Sequence, residues 1–108
     1  MKEKILSSPE PVTIMALAPL TNIAKLLQKE PTIIDHIEQI VIMGGSWIKG
    51  NVIPHAEFNI YADPHAAKEV FSGKVSTVII PLECCDDCTI SEATVQSWMH
   101  DERYLTKM

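Results

Sequence analysis

Three short apolar runs, VTIMAL at 12–17, IVIM at 40–43 and VSTVII at 75–80, are separated by stretches of helical period, and this alternation most restricts the fold. The first run lies between Pro11 and Pro19 and shows no polar alternation, the pattern of a strand buried on both faces of a parallel sheet. Parallel neighbours need a crossover, and the sequence supplies helices for it. Leu20, Ile23, Ala24 and Leu27 recur at helical spacing opposite Lys25, Gln28 and Lys29 until Pro31 interrupts; residues 33–37 suggest a further short turn. Asp63-Pro64 reads as an N-cap followed by proline at the first helical position, with Ala66, Ala67, Val70 and Phe71 as the buried stripe and Gly73 as the stop. Thr89 or Ser91 is placed to cap a last helix containing Ala93, Val95 and Met99. The expectation is one α/β domain over residues 1–108, a Rossmann-like open, mostly parallel sheet with right-handed crossover helices.

Composition agrees with a folded domain: 46% of the 108 residues are hydrophobic and 21% charged, and a chain of this length supports a single core. The net charge of −5 has no basic stripe set against it, which argues against nucleic acid or an anionic membrane as partner. No apolar run is long enough to span a bilayer and the N-terminus lacks a signal-peptide pattern, so a cytoplasmic protein is expected.

Residues 46–61 form a long connection without a sustained helical period, directly after Met43-Gly44-Gly45 at the expected C-terminal end of a strand. Ligands of open α/β sheets bind there, and the missing side chains of glycine let backbone approach a ligand. If residues 57–59 are extended, Glu57 and Asn59 share one side and Phe58 takes the other. A carboxylate accepts from two adjacent hydroxyls, and an Asn amide both donates and accepts, so Glu57 with Asn51 and Asn59 suits a vicinal diol such as that of a ribose-like ring. The competing view is that these side chains only cap and stitch a long loop.

The segments ALAPLTNIA (16–24), IVIMGG (40–45), GNVIPHAEFNIYADPHAA (50–67) and IIPLE (79–83) resemble the nucleoside hydrolases, which cleave the N-glycosidic bond of purine and pyrimidine ribonucleosides. The resemblance covers essentially the whole chain, and the run GN-x-x-P-x-AEFN-x-x-x-DP is far more specific than a lone glycine motif. It implies that Asn51, Glu57 and Asn59 hold the ribose hydroxyls and that Met43 lies against the sugar. It also implies a Ca²⁺ ion, bound in the family by an N-terminal aspartate cluster, a later aspartate and a main-chain carbonyl matching Leu17. Of that set only the Leu17 carbonyl has a counterpart here, whereas Ca²⁺ takes about six to eight oxygens. In the family, Ca²⁺ and an aspartate activate water for attack on the anomeric carbon.

Family members are considerably longer, and neither their Asp-rich motif nor their C-terminal His-Asp pair has a counterpart here. We therefore expect a domain incomplete relative to the full nucleoside hydrolase fold: an internal fragment, or the product of a split or truncated gene. Such a chain would bind a nucleoside or ribose, lack hydrolytic activity alone, and form a homo-oligomer or join a complementing chain, since a truncated sheet leaves apolar faces and edges uncovered. The rival expectation is a non-catalytic remnant or assembly module.

Several residues have plainer explanations. Asp63 before Pro64 is foremost a cap. His55 and His65 read as solvated, and Trp47 is either a stacking group or a loop anchor. Cys84, Cys85 and Cys88 suggest reduced thiols; the spacing of Cys85 and Cys88 fits a redox pair, but Asp86 and Asp87 between them oppose thiolate formation, and three thiols fall short of a closed zinc site.

Overall fold

The computed structural model describes residues 1–86 and 88–99. Along the chain run α1 (Lys2–Leu6), β1 (Val12–Ala16), α2 (Thr21–Lys29), a 3-10 turn (Pro31–His36), β2 (Ile37–Met43), α3 (Phe58–Ala62), α4 (Pro64–Phe71), β3 (Ser76–Ile80), α5 (Leu82–Asp86) and α6 (Glu92–Met99). The strands pair in parallel in the order β1-β2-β3. Their carboxyl ends therefore share one edge of the sheet, as the expected α/β architecture requires.

The apolar periodicities assemble one core. Ile40 and Ile42 of β2 are fully buried against Ile23 and Ala24 of α2, Ala66, Ala67 and Val70 of α4, and the flanking Leu20 and Ile33. Each fully buried side chain of this size contributes about 1.5–3 kcal/mol of transfer free energy, so β2 and its helical cover hold the fold together. The strand begins at Ile37, earlier than the apolar run suggested. Glu38 and Gln39 hide the strand signal because Glu38 is exposed and Gln39 reaches Thr13 across the sheet at 3.5 Å.

Among the described residues the sheet is not covered on both faces. Register partners Met15, Val41 and Val78 share one face, where Met15 is 68% exposed and Val78 is also exposed. β3 contributes nothing to the buried core, and Phe71, expected in the buried stripe of α4, is exposed. Ser91 caps α6 as expected, accepting from the Thr94 amide at 3.2 Å. Among the described residues no helix is long and apolar enough to cross a membrane.

Candidate functional site

The site grows from the end of β2. Gly45 has φ of +77°, a left-handed conformation that glycine tolerates and side-chain-bearing residues disfavour. The turn is tied to the end of β3 and the start of α5: the Gly44 amide donates to Ile80 O at 3.1 Å, and the Gly45 carbonyl accepts from the Leu82 amide at 3.0 Å. The chain then loops out and returns through a bridge between Ile53 and Ala56. Gly50 lies so close to this return that a Cβ there would sit 2.1 Å from the Ala56 carbonyl oxygen.

Residues 57–59 are not an extended run: Glu57 is extended, but Phe58 and Asn59 already belong to α3. Glu57 is the N-cap of α3, its carboxyl accepting from the Asn59 amide at 2.9 Å and the Ile60 amide at 3.3 Å. Alternation was the wrong geometry, because an acidic residue with free amides two and three positions ahead starts a helix instead. The polar pair still converges: Glu57 is 3% exposed and Asn59 8%, while Phe58 faces solvent. They are the buried polar or charged side chains among the described residues.

Glu57 Oε2 also accepts from the Gly45 amide at 3.0 Å, joining the cap to the strand end. Asn59 Nδ2 donates to the Met43 carbonyl at 3.1 Å and lies 3.3 Å from its sulfur. With the amide nitrogen so fixed, Asn59 Oδ1 faces the other way, accepts no hydrogen bond from a described residue and is not sealed from solvent. The Asn51 side-chain oxygen accepts from the Phe58 amide at 2.8 Å, leaving its amino group on the exposed side. Met43, Asn51, Glu57 and Asn59 thus form one connected cluster that stitches the loop and presents leftover acceptor and donor positions. Loop stitching thus uses some of the polar atoms of these residues and leaves others unpaired among the described residues.

Leu17 directly follows β1, and its side chain is exposed. Asp63 is committed elsewhere: it accepts from the Thr21 hydroxyl at 2.5 Å and the Ala66 amide at 3.0 Å. The Thr21 bond, then the Ala66 bond, holds its carboxyl below the usual range. Among the described residues no group of three or more His, Cys, Asp or Glu side chains is arranged to hold a metal. The described residues do not fit a complete Ca²⁺ site.

Sequence inspection missed Glu83. From the start of α5 its Oε1 accepts from the Trp47 amide at 3.0 Å and the Ile48 amide at 2.8 Å, with the Ser46 hydroxyl 2.7 Å away. The Ser46 hydroxyl, then the Ile48 amide, the residue's own amide and the Trp47 amide depress its pKa to about 2. Only its place in the IIPLE segment singled it out. Trp47 is not a loop anchor, since its side chain is 82% exposed. His55 and His65 are exposed. Cys84, Cys85 and Cys88 are free, Cys84 and Cys85 lying within α5, and Asp87 of the suggested redox motif lies outside the described residues.

The sequence profile of the inosine-uridine preferring nucleoside hydrolases matches residues 1–108. The non-specific ribonucleoside hydrolase RihC of Escherichia fergusonii is 44% identical over 91 residues, which is 84% of this chain and 30% of that protein. The crystal structure of the inosine-uridine preferring nucleoside hydrolase from Bacillus anthracis superposes with a TM-score of 0.84 at 28% identity, covering 95% of this chain and 36% of the other. A plant nucleoside hydrolase, PpNRh1, gives a TM-score of 0.70 at 39% identity over 75% of this chain and 26% of its own. The chain thus spans about 30% of the length of the curated relative described. With profile, sequence and fold in agreement over nearly its whole length, the chain belongs to the inosine-uridine preferring nucleoside hydrolase family.

Proposed function

We propose that this chain carries the ribose-binding segment of a nucleoside N-ribohydrolase, with Asn51, Glu57, Asn59 and Met43 facing the sugar. The observation that carries this reading is the burial of Glu57 and Asn59 together at the strand end, with Asn59 Oδ1 left open. Burying two polar side chains is costly unless hydrogen bonds compensate, and capping a five-residue helix needs only one of them. The remaining acceptor positions match the two adjacent hydroxyls of a ribose. Free cysteines accord with a reducing, cytosolic setting.

Hydrolysis calls for a water-activating group, which the family draws from Ca²⁺ and aspartates, so we place that step outside this chain. Incubation with inosine or uridine, with or without Ca²⁺, is expected to release base no faster than buffer. Inosine is nevertheless expected to bind, about tenfold more weakly in Asn59→Ala, the cost of about one hydrogen bond. Turnover abolished by Glu57→Ala would contradict the division of labour, and absence of binding would contradict the sugar site.

A second reading, association through the sheet, is favoured by the open face bearing Met15 and Val78. A homo-oligomer or a complementing chain would cover it.

A further inference from the structure

We propose that Glu83 is a positioning residue for the sugar site, fixing residues 45–48 and through them the Gly45 amide that Glu57 holds. The proposal rests on the ribose-binding reading above and adds to it a residue from β3's side of the sheet.

Consecutive backbone groups leave β2 and meet one short stretch at the start of α5. The Gly45 carbonyl takes the Leu82 amide, and Glu83 Oε1 takes the Trp47 and Ile48 amides. The Ser46 hydroxyl lies 2.7 Å from Glu83 Oε1 and 2.5 Å from the Lys49 carbonyl. Its single proton serves one of them at a time, so the two backbone amides are the constant part of the clamp. Charge-assisted bonds of this kind are about twice as strong as neutral ones.

Apart from the Ser46 hydroxyl, the side chains of the clamped stretch do not hold it. Trp47 and Ile48 are each 82% exposed, so no apolar packing fixes this backbone. Two carboxyl groups do so instead: Glu57 at Gly45 and Glu83 at residues 46–48. Glu57 therefore meets a backbone amide held on the strand side by the Gly44 and Gly45 backbone bonds and on the loop side by the stretch that Glu83 clamps. Glu83 Oε2 is buried without a hydrogen-bond partner among the described residues, a cost that a purely stabilising side chain would be expected to avoid.

That unpartnered atom also separates positioning from stability. In Glu83→Gln the acceptor oxygen is kept, while an amino group would occupy the buried position and lower Tm. In Glu83→Ala the clamp is lost. The test combines residue-resolved amide exchange with inosine titration of the whole chain. Glu83→Ala is expected to speed exchange at Gly45, Trp47 and Ile48 and to weaken inosine binding about tenfold, the loss of one well-formed hydrogen bond at the site. Glu83→Gln is expected to restore both despite its lower Tm.

If wild type binds inosine and Glu83→Ala binds it equally well, the positioning role is overturned, and likewise if affinity merely follows Tm across the variants. If wild type does not bind inosine, the sugar-site reading fails. Exchange at Gly45 then decides the clamp: unchanged in Glu83→Ala it overturns the proposal, accelerated it upholds the coupling.

Discussion

Glu57 Oε2 accepts the Gly45 amide at 3.0 Å across an intervening loop, so the cap of α3 and the end of β2 form one unit. The same carboxyl takes the Asn59 and Ile60 amides. A single side chain thereby satisfies three backbone donors and sets the geometry of the loop.

Glu57→Ala should therefore do more than remove a ligand. It leaves those three amides without their acceptor, and loss of a helix cap alone costs about 0.5–2 kcal/mol, with buried unpaired donors adding about 1–3 kcal/mol more. Urea unfolding should show a clear drop in midpoint, with accelerated exchange at Gly45, Asn59 and Ile60. A midpoint within error of wild type would mean the unit is not held as described.

Gly50→Ala tests the return of the loop. The added Cβ would sit 2.1 Å from a backbone oxygen, which a rotamer change cannot relieve. We expect displaced amide resonances through residues 50–56 and weaker sugar binding, with the β1-β2-β3 core intact. A variant with wild-type spectra would show that the loop has slack.

Acid should loosen the loop before it unfolds the core. The folded-state pKa of Glu83 is depressed from 4.5 to about 2, so its contribution is fully present above the ordinary value and fades as pH falls toward the depressed one. Asp63 is lowered in the same direction by Thr21 and Ala66, so the link between α2 and α4 weakens in the same sense. Amide exchange measured at stepwise lower pH, corrected for intrinsic rates, should show Trp47 and Ile48 losing protection as pH drops below 4.5. Protection independent of pH in that window would contradict the assignment.

The open sheet face should drive self-association. Met15 and Val78 are apolar, exposed and share a face with Val41. Sedimentation velocity should show concentration-dependent association that Met15→Lys weakens. A monodisperse monomer over a wide concentration range would refute this.

The core was legible because its signal is periodic. Ile40 and Ile42 in a continuous apolar run, and Ala66, Ala67 and Val70 at helical spacing, carry their burial on their face. The boundaries were less so: Glu38 and Gln39 belong to β2 but are polar, Gln39 being held by pairing with Thr13 and Ser76 while Glu38 falls at the register shift against β1. The convergence of Glu57 and Asn59 was anticipated, yet through the wrong geometry, since alternation and N-capping both separate Phe58 from its neighbours. Glu83 was invisible because its partners are backbone amides far away in sequence, and backbone leaves no residue pattern to read. Likewise the uncovered face of β3 depends on what packs beside it, which VSTVII alone does not reveal.

The most direct measurement is a titration of the isotopically labelled chain with D-ribose, with 2-deoxy-D-ribose as control, monitored residue by residue. The account predicts saturable shifts at Gly45, Asn51, Glu57 and Asn59 with ribose, and weaker or no response to the deoxy sugar, whose diol is broken. Absence of saturable shifts at these residues, or an equal response to both sugars, would contradict it.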